Sequence, residues 1–150
     1  MPGTFHNLKY HIVFSTKGRT PWLDDAIRPQ VHAYLGGIIR GERGVALAIG
    51  GVADHVHILL SWRTDEALAT LMRNVKAHSS KWIHQQFPQL AAFEWQEGYA
   101  AFTVSESQVV KVRNYILSQE EHHRQKSFRD ELVALLKGNG VSYDERYLLG

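Results

Sequence analysis

The chain has 150 residues, 44% of them apolar, with four Trp, six Tyr and six Phe; that is enough for a single packed domain over 1–150 and argues against disorder. Its 17 basic and 15 acidic residues leave a formal charge of +2, which permits nucleic-acid binding without demanding it. The absence of cysteine excludes disulfides, thiolate catalysis and Cys-based zinc sites, and with no stretch of membrane-span length and no signal-peptide pattern a cytoplasmic protein is expected.

Residues 6–15 read as a strand, with Leu8, Tyr10, Ile12 and Phe14 on one face and Lys9, His11 and Val13 on the other. A helix is predicted over 24–40, capped by Asp24, with Pro29 near its start and Ile27, Val31, Leu35 and Ile38 on its buried side. A second strand spans 45–52, and Gly50-Gly51 suggests a bend or hairpin into a third strand ending near Trp62. The longest helix is predicted over 65–87, its stripe running through Leu68, Leu71, Met72, Val75, Ser79, Trp82, Ile83 and Gln86. Residues 93–104 read as a fourth strand interrupted at Gly98, and Ser105 to Gln108 has capping-box spacing for a helix reaching about His122. A short amphipathic helix from Phe128 to Lys137 closes the pattern. The order β-α-β-β-α-β-α predicts an α+β, ferredoxin-like antiparallel sheet of four to five strands with helices, plus an extra C-terminal catalytic helix.

The third strand carries the chemistry. In Asp54-His-Val-His-Ile-Leu-Leu60, strand alternation puts His55 and His57 on one face and Val56, Ile58 and Leu60 on the other. Two imidazoles on one face can share a divalent ion if a third ligand arrives from elsewhere; two partly exposed histidines on an amphipathic strand would show the same pattern. In the helix after the fourth strand, Val109, Val112 and Ile116 form an apolar stripe beside Lys111, Tyr115, Gln119 and His122. Tyr115 and Gln119 are four residues apart and so share a side. His55, His57 and Gln119 would offer two nitrogens and one oxygen, a mixture that suits Mg²⁺ or Mn²⁺ better than structural zinc. The alternative is a packing tyrosine and a solvated glutamine. His122 and His123 read as an exposed helix end, and His6, His11, His32, His78 and His84 as structural, with His11 close to the third strand.

Five segments together resemble the single-tyrosine HUH transposases (His, bulky hydrophobe, His) of small bacterial insertion sequences, the insertion sequence 200/605 type. They are Tyr10 to Arg19, Asp54 to Leu60, Leu71 to Lys81, Trp95 to Val104, and Tyr115-Ile-Leu-Ser-Gln119. The ending Ser142-Tyr-Asp-Glu-Arg-Tyr147 resembles relatives associated with repeated extragenic palindromes. The resemblance implies a nucleophilic Tyr115 and metal ligands His55, His57 and Gln119. It also implies cleavage and rejoining of single-stranded DNA through a 5′-phosphotyrosine, recognition of DNA hairpins, and a homodimer in which the tyrosine acts either in cis or in trans, on the metal site of the other subunit. Lys9, Lys17, Arg19, Arg73, Lys76 and Lys81 are the basic residues in the matched segments and the candidates for phosphate contact. Rival readings are a domesticated hairpin-binding protein that no longer cuts, a replication initiator or relaxase with the same chemistry, and a regulatory ferredoxin-like dimer.

Overall fold

Strand alternation sorts the apolar side chains to two faces, and both faces are covered. The computed structural model describes residues 3–123 and 126–148. Strands β1 (Leu8–Ser15), β2 (Val45–Val52), β3 (His55–Trp62) and β4 (Ala100–Thr103) form one antiparallel sheet in the order β2-β3-β1-β4. Helices α1 (Arg28–Gly41) and α2 (Leu68–Gln86) connect them as in a ferredoxin-like unit. Beyond β4 come α3 (Val109–Leu117), the single-turn α4 (Gln119–His122) and α5 (Phe128–Gly138). The α+β, ferredoxin-like class expected from the sequence is the one observed, with four strands.

Ile12 and Phe14 of β1 and Val56, Ile58 and Leu60 of β3 pack against α1 and α2 through Val31, Leu35, Ile39, Leu71, Val75 and Ile83. On the opposite face Val13 and Phe102 lie under Phe128, Leu132 and Leu136 of α5, and Ala48 and Leu59 lie under Ile116 of α3. An antiparallel sheet commonly leaves one face to water. Here α3 to α5 close the second face, so His55 and His57 are fully buried.

Several boundaries differ from the sequence reading for local reasons. Asp24 caps a turn rather than the helix itself: its Oδ1 accepts from the amides of Ala26 and Ile27, both at 3.0 Å, and α1 begins at Arg28. Ile39, not Ile38, takes the last fully buried place on α1. The fourth strand shrinks to four residues because Gly98 adopts φ +79° and Trp95 makes only an isolated bridge to Thr16. The Lys76 ammonium holds that loop, donating to the carbonyls of Gln96 (2.9 Å) and Gly98. The expected capping box is not made: Ser105 gives no side-chain cap, and a 3₁₀ turn over Glu106–Gln108 precedes α3. The helix expected to run to His122 breaks at Ser118, whose hydroxyl donates back to the Asn114 carbonyl at 2.9 Å.

The β2–β3 turn falls at Ala53-Asp54, not at Gly50-Gly51. Gly50 has another use. A Cβ there would lie 2.0 Å from the Ile116 carbonyl oxygen, so only glycine lets α3 press its backbone onto β2. Gly50→Ala is therefore expected to destabilise the protein by about 2–3 kcal/mol through overpacking, measured as a lowered urea midpoint; an unchanged midpoint would refute this packing account.

Candidate active site

His55 and His57 leave β3 toward α3–α5, as alternation requires, and Tyr115, Gln119, His123 and Glu131 come to meet them. His55 Nε2 lies 3.1 Å from Gln119 Oε1. Glu131, on the first turn of α5 and 1% exposed, sits at the centre. Its Oε1 is 3.3 Å from His55 Nε2 and 3.0 Å from both His57 Nε2 and His123 Nε2. Its Oε2 accepts from Gln119 Nε2 at 3.0 Å and from the Tyr115 hydroxyl. The Phe128 ring stacks on His55 with centroids 4.4 Å apart, and His122 lies against Tyr115.

Each core imidazole is also gripped from outside. His55 Nδ1 donates to Asp54 Oδ1 at 2.7 Å, His57 Nδ1 is 2.7 Å from His11 Nε2, and His123 Nδ1 donates to the Lys126 carbonyl at 2.6 Å. Gln119 is held through its helix: the buried Arg28 guanidinium bonds the Leu23 carbonyl (2.7 Å), Asp25 (2.6 Å) and Glu120 (2.8 Å), which fastens α4 to the start of α1.

The electrostatics follow from burial against charge. Burial pushes the His55 imidazole down, but the Asp54 and Glu131 carboxylates overcome it and raise its pKa to about 9. At His57 burial wins over Glu131 and the pKa falls to about 4; His11 falls to about 3 through burial and the neighbouring His57. Burial raises the Glu131 carboxyl, yet hydrogen bonds from His123, His55 and His57 reverse this and hold it far below the usual carboxylate range. Burial and the adjacent Glu131 raise Tyr115 well above the ordinary value of a phenol.

The sequence-predicted constellation of His55, His57, Tyr115 and Gln119 thus meets within one chain. His123 and Glu131 were not among the candidates, and His123 is a half-buried partner of the site rather than an exposed helix end. A detectable signal was an acid on an apolar helix face: Glu131 falls on the stripe of Phe128 and Leu132. His55, His57, His123 and Glu131 present atoms within 4.8 Å of one another, and imidazole nitrogens beside a carboxylate oxygen are a donor set that could hold a divalent cation. The basic candidates scatter. Lys9 pairs with Glu106 at 2.8 Å and Lys17 with Glu94 at 3.5 Å, and Lys76 holds the loop at Gly98. Arg73 and Lys81 are exposed on α2, in the helix layer across the sheet from the histidines, and Arg19 is half-buried in the loop after β1. A groove of about 370 Å³ between α3 and α5, lined by His11, Gln108, Lys111, Tyr115 and Asn139 among others, gives access to the phenol.

The class to which this fold and its relatives point is that of the transposases, DNA-processing enzymes. The chain belongs to the IS200-like transposases: the family model described as "Transposase IS200 like" matches residues 4–119. It is 30% identical over 124 residues to the transposase for insertion sequence element IS200 of Salmonella typhimurium, covering 79% of this chain and 80% of the relative. It is 26% identical over 124 residues to the ISDra2 transposase TnpA of Deinococcus radiodurans, covering 79% and 89%. Among solved structures, a protein from Deinococcus radiodurans described as a transposase superposes with a TM-score of 0.67 at 25% identity, covering 77% of this chain and 93% of its own. A REP-associated tyrosine transposase solved with a REP hairpin shares the fold, with a TM-score of 0.56, 11% identity and coverage of 77% and 70%.

In the metal-free protein the raised His55 pKa sets a pH dependence. The folded value, about 9, exceeds the ordinary 6.5, so the stabilisation is complete below about pH 6.5 and disappears as pH rises through 9. His11 and His57 are neutral when folded and, above pH 7.5, in the unfolded chain as well, but burial lowers the Lys76 ammonium to about 8, so that group adds stability as pH rises through the same window. The His55 contribution, at most about 3 kcal/mol between pH 7 and 10, is therefore read in a Lys76→Met background, where stability is expected to fall with pH and Asp54→Asn should flatten the fall. Urea titrations across that range check it, and a flat profile in Lys76→Met would contradict it.

Proposed function

We propose that this transposase cleaves and rejoins single-stranded DNA through Tyr115. The supporting observation is the meeting of the phenol, the Gln119 carboxamide and the His55–His57 pair around one buried point within a single chain. Glu131 accepts the Tyr115 hydrogen bond and holds the phenolic oxygen beside His57. As the Tyr115 oxygen attacks phosphorus, the P–O3′ bond breaks. The phenol loses its proton, and the departing 3′-oxygen gains one. The products are a 5′-phosphotyrosine and a free 3′-hydroxyl. The covalent link conserves the phosphodiester energy, so the step reverses to rejoin strands without ATP.

His55, His57 and Gln119 would hold Mg²⁺ or Mn²⁺, which when bound supplies charge compensation to the scissile phosphate and the forming phenolate. Asp54 and His11 keep the two imidazoles oriented from behind, and Arg28 keeps Gln119 in reach. Tyr115 and Gln119 reach the imidazoles of their own chain, which supports action of the tyrosine in cis. A homodimer, a cytoplasmic setting and recognition of DNA hairpins belong to the same reading. The hairpin part is supported by the fold shared with a protein solved on a REP hairpin, with Lys17, Arg19, Arg73 and Lys81 as phosphate contacts outside the site.

Incubation with 3′-end-labelled single-stranded hairpin DNA and Mg²⁺ or Mn²⁺ is expected to leave label on the protein in a denaturing gel. Tyr115→Phe should abolish the adduct and keep hairpin binding. Adduct in that variant would identify another nucleophile; hairpin binding without adduct in the parent chain would identify a non-cleaving relative.

A further inference from the structure

We infer that the cation site of this chain has two further protein ligands, His123 and Glu131, making a three-imidazole, one-carboxylate centre that selects Mn²⁺ and similar transition ions over Mg²⁺. The inference rests on the metal reading above and extends it to the segment beyond the tyrosine helix.

The first argument is convergence. Nε2 of His55, His57 and His123 all lie 3.0–3.3 Å from one oxygen, Glu131 Oε1. Ligand atoms set about 2.1 Å from a divalent ion at right angles to each other are about 3.0 Å apart. Neighbouring ligands of one ion therefore have the spacing seen here.

The second argument is proton placement. The outer partners of His55 and His123 are the Asp54 carboxylate and the Lys126 carbonyl, which only accept hydrogen bonds. Both Nδ1 atoms must therefore carry hydrogen, so Nε2 is the atom free to change partner: it donates to Glu131 when protonated, and without that proton it turns a lone pair inward for an ion. A divalent ion would take the place of those inward protons, meeting both nitrogens and the carboxylate oxygen at once, with release of the protons. Outward Nδ1–H donation to a carboxylate or carbonyl is the support that metal-binding histidines receive.

The third argument is the sequestration of Glu131. A carboxylate 1% exposed at the end of a helix turn needs both oxygens satisfied. Oε2 takes Gln119 and Tyr115, and Oε1 has only the imidazoles. With Gln119 Oε1, the site offers five donors, leaving one place in a six-coordinate shell for a phosphate oxygen. Three imidazoles favour transition ions, while Mg²⁺ prefers oxygen ligands and retained water.

The test is Mn²⁺ binding by the full-length chain, read by calorimetry, together with anomalous diffraction from Mn²⁺-soaked crystals of the unmutated protein. Glu131→Gln and His123→Asn are each expected to weaken Mn²⁺ binding at least about 10-fold, and Mn²⁺ should bind at least 10-fold more tightly than Mg²⁺ (an order-of-magnitude expectation). The anomalous peak should lie within bonding distance of Glu131 and His123, a result that does not depend on how the variants fold. Unchanged or tighter binding in folded Glu131→Gln, or a peak bonded to His55 and His57 but remote from Glu131 and His123, would overturn the inference and leave the two-histidine reading intact. If the parent chain bound no Mn²⁺, both would fall.

Discussion

The arrangement depends on one buried negative charge. A carboxylate taken out of water costs several kcal/mol unless it is paired and hydrogen-bonded. Glu131 is nearly inaccessible, yet its two oxygens are met by three imidazoles, a carboxamide and a phenol. These partners come from β3, α3, α4 and the loop before α5, so one carboxylate ties four segments to a single point. The histidines gain in turn: without Glu131 and Asp54, burial alone would depress His55, as it depresses His57 and His11.

That charge is delivered by packing. Ser127 caps α5 by accepting from the Asp130 amide at 3.1 Å, and Phe128, Leu132 and Leu136 seat the helix on Val13 and Phe102. Glu131 lies one residue from Leu132 on that seated face, so the apolar contacts aim it at the histidines. Ile116 does the same for Tyr115: it buries fully against Leu59 and Ala48, and the missing Cβ of Gly50 sets how close α3 can come. Glu131 and Tyr115 are thus each a neighbour in sequence of an apolar anchor.

This explains what could be read in advance. The His-x-His strand was legible because alternation is geometric, and β3 shows it without exception: Val56, Ile58 and Leu60 inward to α1 and α2, His55 and His57 to the other side. Tyr115 and Gln119 were legible from their spacing and from the resemblance of the segments around them. The helix break at Ser118 was not, because back-bonding of one hydroxyl to Asn114 competes with helix continuation in a way composition does not announce. Glu131 was hidden for a different reason. An acid in the first turn of a helix is what the helix dipole favours on any surface, an ordinary explanation that competes with its place on the apolar stripe of Phe128 and Leu132, and tertiary packing decides between the two.

The same carboxylate bears on the timing of the proposed reaction. A phenol is a poor nucleophile until ionised, and Tyr115 is held from ionising twice over, by burial and by the negative charge at the end of its own hydrogen bond. A second negative group arriving along the groove between α3 and α5, as a DNA phosphate must, adds to that opposition. Positive charge placed among the imidazoles acts on both at once, because it sits next to the carboxylate that restrains the phenol and next to the position the phosphate must take. Attack by Tyr115 is therefore disfavoured when either charge compensation or substrate is missing. For the proposed strand cleavage, that is the physical content of a nucleophile kept inactive until the site is fully assembled.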